Sequence, residues 1–331
     1  MSTVVIAAII IALIFDFLNG MNDAGNSIAT VVSTKVLSPL LAVLWAAFFN
    51  FVAVFIFGVH VATTIGKGIV DTSVINEYVV LGALISAVLW VFSCNRFGIP
   101  VSVSHSLIGG LIGASIIKGG RSVLVLTGIN KILLFIIIAP MTGMILGFLI
   151  MIIAMMIFRK FTPRRVNSIS RVLQLVSSAV FSIGHGSNDA QKTIGIISIL
   201  LFSTGRLGTE FYVPTWVIFT CYFTIAFGTL FGGWKVIKTL GLRLTHLKPV
   251  QGFCAETAGA IAIIGSTLAG IPVSTTHTIT GAILGVGITK GITSVRWGIA
   301  TNIVLAWILT IPSTMILSGG IYYLISLFLY K

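Results

Sequence analysis

Acidic residues are scarce in this sequence. Of 331 residues only 7 are Asp or Glu, and charged residues of both signs make up 8%, against about 25% in a water-soluble domain. With 57% hydrophobic residues and a mean hydropathy of +1.13, a soluble globule is excluded and a polytopic membrane protein remains. At about 20 residues per membrane helix, the chain accommodates about ten to twelve spanning or half-spanning segments, with no room for a soluble catalytic domain. Cysteine is equally sparse. Cys94, Cys221 and Cys254 are odd in number and lie in apolar segments, which offers neither a disulfide framework nor a metal-ligand spacing. The 20 Lys and Arg give a net charge of +13, but they form no basic face, so nucleic-acid binding is not expected. No Lys or Arg precedes Lys35, so the start lacks the positive region of a cleavable signal peptide and reads as a first membrane helix.

The chain repeats itself. Residues 15–30 (FDFLNGMNDAGNSIAT) align with residues 181–196 (FSIGHGSNDAQKTIGI) at an offset of 166, with 6 of 16 positions identical. Residues 98–119 (GIPVSVSHSLIGGLIGASIIKG) align with 270–291 (GIPVSTTHTITGAILGVGITKG) at an offset of 172, with 11 of 22 identical. That second offset also pairs Asn130 with Asn302 and Pro140 with Pro312. Chance matches between apolar segments would be Ile, Leu and Val; these are largely Gly, Pro, Asn, Asp, Ser and His, which points to duplication.

Charge sets the orientation of the halves. Residues 1–158 form the first half and 172–331 the second, joined by a linker at 159–171 with Arg159, Lys160, Arg164, Arg165 and Arg171 and no acid. Such a linker belongs in the cytoplasm. A second basic loop carries Lys235, Lys238, Arg243 and Lys248, whereas its first-half counterpart sets Asp71 and Glu77 against Lys67. Equivalent loops of opposite sign lie on opposite sides, so the halves are expected to be inverted repeats with the N-terminus outside. The expected fold is all-α, with broken helices and helical hairpins. Each half starts with a broken helix (4–34; 172–202), continues with plain spans (40–60, 78–96; 215–234, 251–269) and a Gly-rich segment (98–119; 270–291), and ends in a long apolar tail (122–158; 293–330). Each tail is either one kinked helix around Pro140 or Pro312 or two short ones.

Four acids fall within apolar sequence: Asp16, Asp23, Asp189 and Glu256. A carboxylate at membrane depth costs at least about 2.5 kcal/mol on insertion scales, so it marks an ion, a proton relay or a paired charge, or else a hydrogen-bonded structural acid. Asp16 has no counterpart in the second copy and reads best as structural. Asp23 and Asp189 recur at one position of the repeat, each after an Asn and a Gly (Gly20-Met21-Asn22-Asp23; Gly186-Ser187-Asn188-Asp189). A helix broken at those glycines would add backbone carbonyls to carboxylate and amide oxygens, a donor set for a hard cation. Asn22, Asp23, Asn188 and Asp189 are therefore the expected ligands of a hard cation, with Asn26 and Glu256 as further cation-binding candidates.

The hydroxyl clusters suit an anion. Ser102, Ser104, His105 and Ser106 follow one Gly-Ile-Pro turn, and Ser274, Thr275, Thr276, His277 and Thr278 follow the other. A helix starting there offers free N–H groups and its positive end to an oxyanion, with Asp23 and Asp189 close to the same ligand. The competing reading is that these hydroxyls bond their own backbone. His105 and His277 are open between proton carriers, ligand donors and buried structural donors. A Ser-His catalytic site lacks a placed orienting acid, so no enzyme activity and no cofactor are expected. Gly109-x-x-x-Gly113 and Gly281-x-x-x-Gly285 read as close helix packing. Lys192, opposite Asn26 of the first copy, either pairs with an acid or substrate or snorkels to a vestibule.

These motifs resemble the inorganic phosphate transporter family, whose signature is close to Gly-Ala-Asn-Asp-Val-Ala-Asn-Ala in each of two halves. Here the copies read Gly20-Met21-Asn22-Asp23-Ala24-Gly25-Asn26-Ser27 and Gly186-Ser187-Asn188-Asp189-Ala190-Gln191-Lys192-Thr193, and the Pro-Val-Ser-x-x-His stretches look like the family's Pro-Ile-Ser-x-x-His. The resemblance implies a plasma-membrane symporter of inorganic phosphate, driven by sodium or by protons, with sodium favoured. It also implies that the Asn-Asp motifs are essential, and Glu256 matches an acid in the family's Gly-Phe-x-x-Glu segment. Leu84 departs from members that carry an acid there, and the short linker replaces the large central loop of animal members. A sulfate permease on the same scaffold is the alternative. Expected partners are phosphate, sodium and the lipid bilayer, with a homodimer left open.

Overall fold

The computed structural model describes residues 2–329, and among these it is built from twelve α-helices with no extended strand. The first half contains α1 (Thr3–Ser33), α2 (Pro39–Val52), α3 (His60–Lys67), α4 (Glu77–Phe97), α5 (Val103–Gly119) and α6 (Leu126–Phe158). The second contains α7 (Pro163–Ser203), α8 (Thr215–Phe231), α9 (Trp234–Lys238), α10 (Pro249–Leu268), α11 (Thr275–Ile288) and α12 (Trp297–Leu329). Each half thus has the same succession of six. By length and apolarity α1, α4, α6, α7 and α12 can each cross a membrane, and α8 with the helical segment from Trp234 to Arg243 makes a sixth span bent by 64°. The chain is an integral membrane protein. Isoleucines, leucines and phenylalanines on the outer faces of α6 and α12, such as Ile137, Phe148, Ile316 and Phe328, are exposed because lipid is their solvent.

Local signals set the helix starts. Ser38 and Thr162 cap α2 and α7, each followed by Pro at the first helical position, where a missing N–H costs nothing. Gly98 (φ 71°) and Gly270 (φ 65°) take left-handed backbone at equivalent positions, turning α4 back into α5 and α10 back into α11 as two helical hairpins. α5 then packs on α12 of the other half, and α11 on α6. The small-residue motifs make this close: a Cβ on Gly109 would lie 2.7 Å from the Ile311 carbonyl oxygen, while Gly281 and Gly285 face the carbonyls of Pro140 and Met144. Each half therefore packs its hairpin against the long last helix of the other.

Three expectations change. The interruption expected at Gly20 and Gly186 is absent: α1 and α7 run continuously through both. The glycines serve approach instead. Gly20 faces the Ile225 carbonyl of α8, and a Cβ on Gly186 would lie 2.6 Å from the Asn50 carbonyl oxygen of α2. The breaks fall in the next span of each half, between α2 and α3 and between α8 and α9, so those spans are not plain. Second, α7 begins at Pro163, which puts Arg164, Arg165 and Arg171 of the basic linker on a helix. Third, each tail is a single helix of 33 residues that carries its proline inside. Arg171 donates to the Lys35 carbonyl at 2.8 Å. The end of α1 and the start of α7 thus lie on one face of the molecule.

Candidate functional site

α1 and α7 pack against each other at the centre of the molecule, with Asp23 on one and Asp189 on the other, both buried. The extended segments that precede α5 and α11 bring hydroxyls and carbonyls to the same place. Thr276 donates to Asp23 Oδ1 (3.2 Å) or to the Val101 carbonyl (3.3 Å), and its oxygen accepts from Asn26 Nδ2 (2.9 Å). Thr275 Oγ1 lies 3.0 Å from Asp189 Oδ2 and 3.4 Å from Asp23 Oδ2. Having one proton, it donates to one carboxylate at a time. Lys192 is paired with Asp189 and donates to Ser104 Oγ and, at 2.8 Å, to the Val273 carbonyl. At 1% exposure it does not snorkel. The carbonyls that reach the site come from the connectors before α5 and α11, not from unwound turns of α1 and α7.

His185, one turn before Asp189, completes the cluster. The Asn50 side-chain amide donates to Thr229 Oγ1 (3.0 Å), so its oxygen faces His185 Nδ1 at 3.2 Å and must accept from it. The Nδ1–H is thereby fixed, and Nε2 points at Asp189 Oδ2 (3.1 Å) and Asp23 Oδ2 (4.0 Å). A neutral ring would present a lone pair to two carboxylates, so the arrangement calls for a proton or another cation among the three groups. The sequence reading missed His185; its signal was an ionisable residue at the place of Asn19 in the first copy.

The amides add oxygen ligands. The nitrogens of Asn22, Asn26 and Asn188 are spent on Asp23 (2.8 Å), Thr276 and Thr267 (2.9 Å). Their oxygens, with that of Asn19, are buried and have no donor. Buried acceptors of this kind are costly unless a partner arrives, and a hard cation is such a partner.

The expected phosphate-binding set is only partly assembled. Ser104, Thr275 and Thr276 reach the aspartates or Lys192. Ser102 and Ser274 instead cap their helices, each accepting from the third amide, that of His105 or His277, at 3.2 Å. Ser106 donates to the Val103 carbonyl (2.6 Å) and Thr278 to that of Ser274 (2.9 Å), the self-bonding alternative. With the third amide capped, the first two of each helix (Val103, Ser104; Thr275, Thr276) have no acceptor within their helix. These two helix ends meet, since Thr276 touches Val101, and they offer an oxyanion two sets of N–H groups and two positive dipole ends. His105 and His277 lie ring against ring (centroids 4.8 Å apart), with Trp307 stacked on His277 at 3.8 Å.

Glu256 stands in a cluster of its own. Its carboxylate accepts from Thr30 Oγ1 (2.6 Å), Gln174 Nε2 (3.0 Å) and Ser177 Oγ (2.5 Å), tying α10 to α1 and α7. The corresponding residues of the other half, Leu84, Ala8 and Ile196, lie in one hydrophobic cluster. Replacing Glu256 by Leu, the residue at the corresponding position of the first half, removes the shared acceptor of Thr30, Gln174 and Ser177 and should cost about 1–3 kcal/mol of stability, read as a lower melting temperature in detergent. Asp16 accepts from Thr193 Oγ1 at 2.7 Å, which cross-links α1 to α7 as a structural acid would.

Residues 19–318 match the sequence profile of the phosphate transporter family. The chain is 53% identical over 318 residues to a probable low-affinity inorganic phosphate transporter of Rhizobium meliloti (strain 1021), covering 96% of this chain and 95% of that one. It is 40% identical over 324 residues to the protein of the same description from Bacillus subtilis (strain 168), covering 97% of each. Among solved structures, one titled "The sodium-dependent phosphate transporter" superposes with a TM-score of 0.87 at 26% identity, over 98% of this chain and 99% of that chain.

Proposed function

The chain belongs to the phosphate transporter family, and from that premise we propose that it imports inorganic phosphate across the plasma membrane by symport with a cation, sodium in preference to protons, through alternating access. One observation carries this reading: two buried carboxylates, Asp23 and Asp189, meet Thr275, Thr276 and, through Lys192, Ser104 at two helix N-termini, with the donor-less amide oxygens of Asn22 and Asn26 on the same helix as Asp23. Oxygen acceptors serve a cation and N–H and O–H donors serve an oxyanion. Each ion lowers the cost of bringing the other to membrane depth. Two cation sites are assigned, one to the oxygens of Asn22, Asp23 and Asn26, where sodium binds, and its counterpart to Asn188 and Asp189 in the second half. Phosphate is assigned to the hydroxyls of Ser104, Thr275 and Thr276 and to the amides that start α5 and α11. The sodium-dependent phosphate transporter of similar fold supports sodium as the coupling ion.

Protons remain the second reading, favoured by the fixed Nε2 of His185 between the aspartates. Proteoliposomes separate the two. Labelled phosphate should accumulate when an inward sodium gradient is imposed at equal pH on both sides. Accumulation that ignores sodium and follows a pH gradient would transfer the role to His185 and the aspartates. Excess sulfate should compete weakly, because phosphate carries protons that can be donated to the carboxylates and sulfate at neutral pH does not.

A further inference from the structure

Two sets of three oxygens correspond across the repeat, each drawing its hydroxyl from the other half, and only one of the two sets contains a lysine. In the second half Lys192 Nζ meets the Asp189 carboxylate, the Ser104 hydroxyl and the Val273 carbonyl. The repeat offsets of 166 and 172 carry these to Asp23, Thr276 and Val101. Those three are gathered as well, by the Thr276 hydroxyl, 3.2 Å from Asp23 Oδ1 and 3.3 Å from the Val101 carbonyl. Opposite Lys192 stands Asn26, whose nitrogen is bound to Thr276 and whose oxygen has no donor. A carboxylate, a hydroxyl and a backbone carbonyl around one positive charge are the donor set of a hard-cation site. The three protons of an ammonium match these three acceptors one to one.

We propose that Lys192 is a tethered cation: its ammonium permanently fills one of two equivalent cation sites, so that a mobile coupling ion is required only at the Asp23 site. The chain therefore moves one cation fewer per phosphate than the same scaffold with a neutral residue at position 192. Burial and pairing fit this role. Lys192 is 1% exposed and has no route to water as a surface lysine does, and a buried ammonium persists only when its charge is matched. The first half has Asn26 in the place of Lys192. The carboxylate, hydroxyl and carbonyl residues thus recur in both sets, and the ammonium is present in one.

The inference rests on the symport reading, and its test distinguishes the two. Wild type, Lys192→Asn and Asn26→Lys are reconstituted into proteoliposomes with the voltage held at zero, and steady-state accumulation of labelled phosphate is measured against the imposed sodium ratio, then against the proton ratio. The slope of log accumulation on log cation ratio counts the cations moved per phosphate. For Lys192→Asn the slope should rise by one, which at a tenfold gradient is about tenfold more phosphate accumulated; for Asn26→Lys it should fall by one. Equal slopes in wild type and the variants, with a non-zero slope in wild type, overturn the tether and leave symport standing. A wild-type slope of zero for both cations overturns symport and the tether with it. Should Lys192→Asn be recovered as a monodisperse protein only when sodium is present, the mobile ion has replaced the ammonium, which supports the proposal. Its loss with and without sodium alike, together with an unchanged slope for Asn26→Lys, contradicts it.

Discussion

Replacing Asp23 by Asn is expected to abolish cation-driven phosphate accumulation while leaving the protein folded. The two aspartates are unequal. Asp189 is paired with Lys192 and faces His185 at 3.1 Å, whereas Asp23 receives Asn22 and Thr276 and has His185 only at 4.0 Å. Its charge is the one left for a mobile ion to balance. Asn keeps the volume and one acceptor oxygen, so packing between α1 and α7 survives. Losing the charged acceptor for the cation, worth about 1.5–3 kcal/mol as interactions with a charged group are, should weaken cation binding about 10- to 150-fold, and with the coupling ion no longer held the sodium gradient should no longer drive accumulation. Uptake of labelled phosphate into vesicles under an inward sodium gradient reads the effect, with gel filtration as the check on folding. Normal accumulation by Asp23→Asn would remove this carboxylate from coupling.

Replacing Gly186 by Ala should be nearly as damaging, for a steric reason. The new Cβ would meet the backbone of Asn50, 2.6 Å from its oxygen and 2.8 Å from its Cα, and backbone in a packed helix cannot swing aside as the end of a side chain does. α7 and α2 must separate, at an overpacking cost of about 1–3 kcal/mol. The Asn50 amide that fixes the tautomer of His185 moves with α2, so transport should fall together with thermal stability. Gly265→Ala is the control. Nothing lies within 4 Å of a Cβ there, and the substitution should raise helix stability by up to about 1 kcal/mol. A Gly186→Ala protein with wild-type melting temperature and uptake would show that the crossing of α2 and α7 is looser than these contacts require.

Repetition made the centre of this molecule legible from its sequence. The positions that recur in both halves, the Asn-Asp pairs and the hydroxyl clusters, are those that the fold brings together. Glycine was misread there. Next to a polar motif it suggests a broken helix, but the same residue permits two helices to cross, and only the position of α8 or α2 distinguishes these. Hydroxyl direction was equally hidden. Ser104 and Ser106 sit two residues apart in one cluster, yet the first turns to Lys192 and the second to its own backbone, because successive helical positions point about 100° apart. Glu256 looked like a partner of the aspartates because its sequence carries no sign of how far along α1 it docks. It meets Thr30, seven residues beyond Asp23, which is about 10 Å along the helix. His185 and Lys192 lie where the copies differ, and a search for what repeats passes over what one half has gained.

On the proposed mechanism, cation and phosphate share one site and stabilise each other there. Equilibrium binding to the purified protein in detergent tests this without transport. Phosphate affinity should rise as sodium replaces choline at constant ionic strength, and sodium affinity should rise by the same factor when phosphate is present, because coupling between two bound ligands is reciprocal. Phosphate binding of equal strength in sodium and in choline would contradict the shared site.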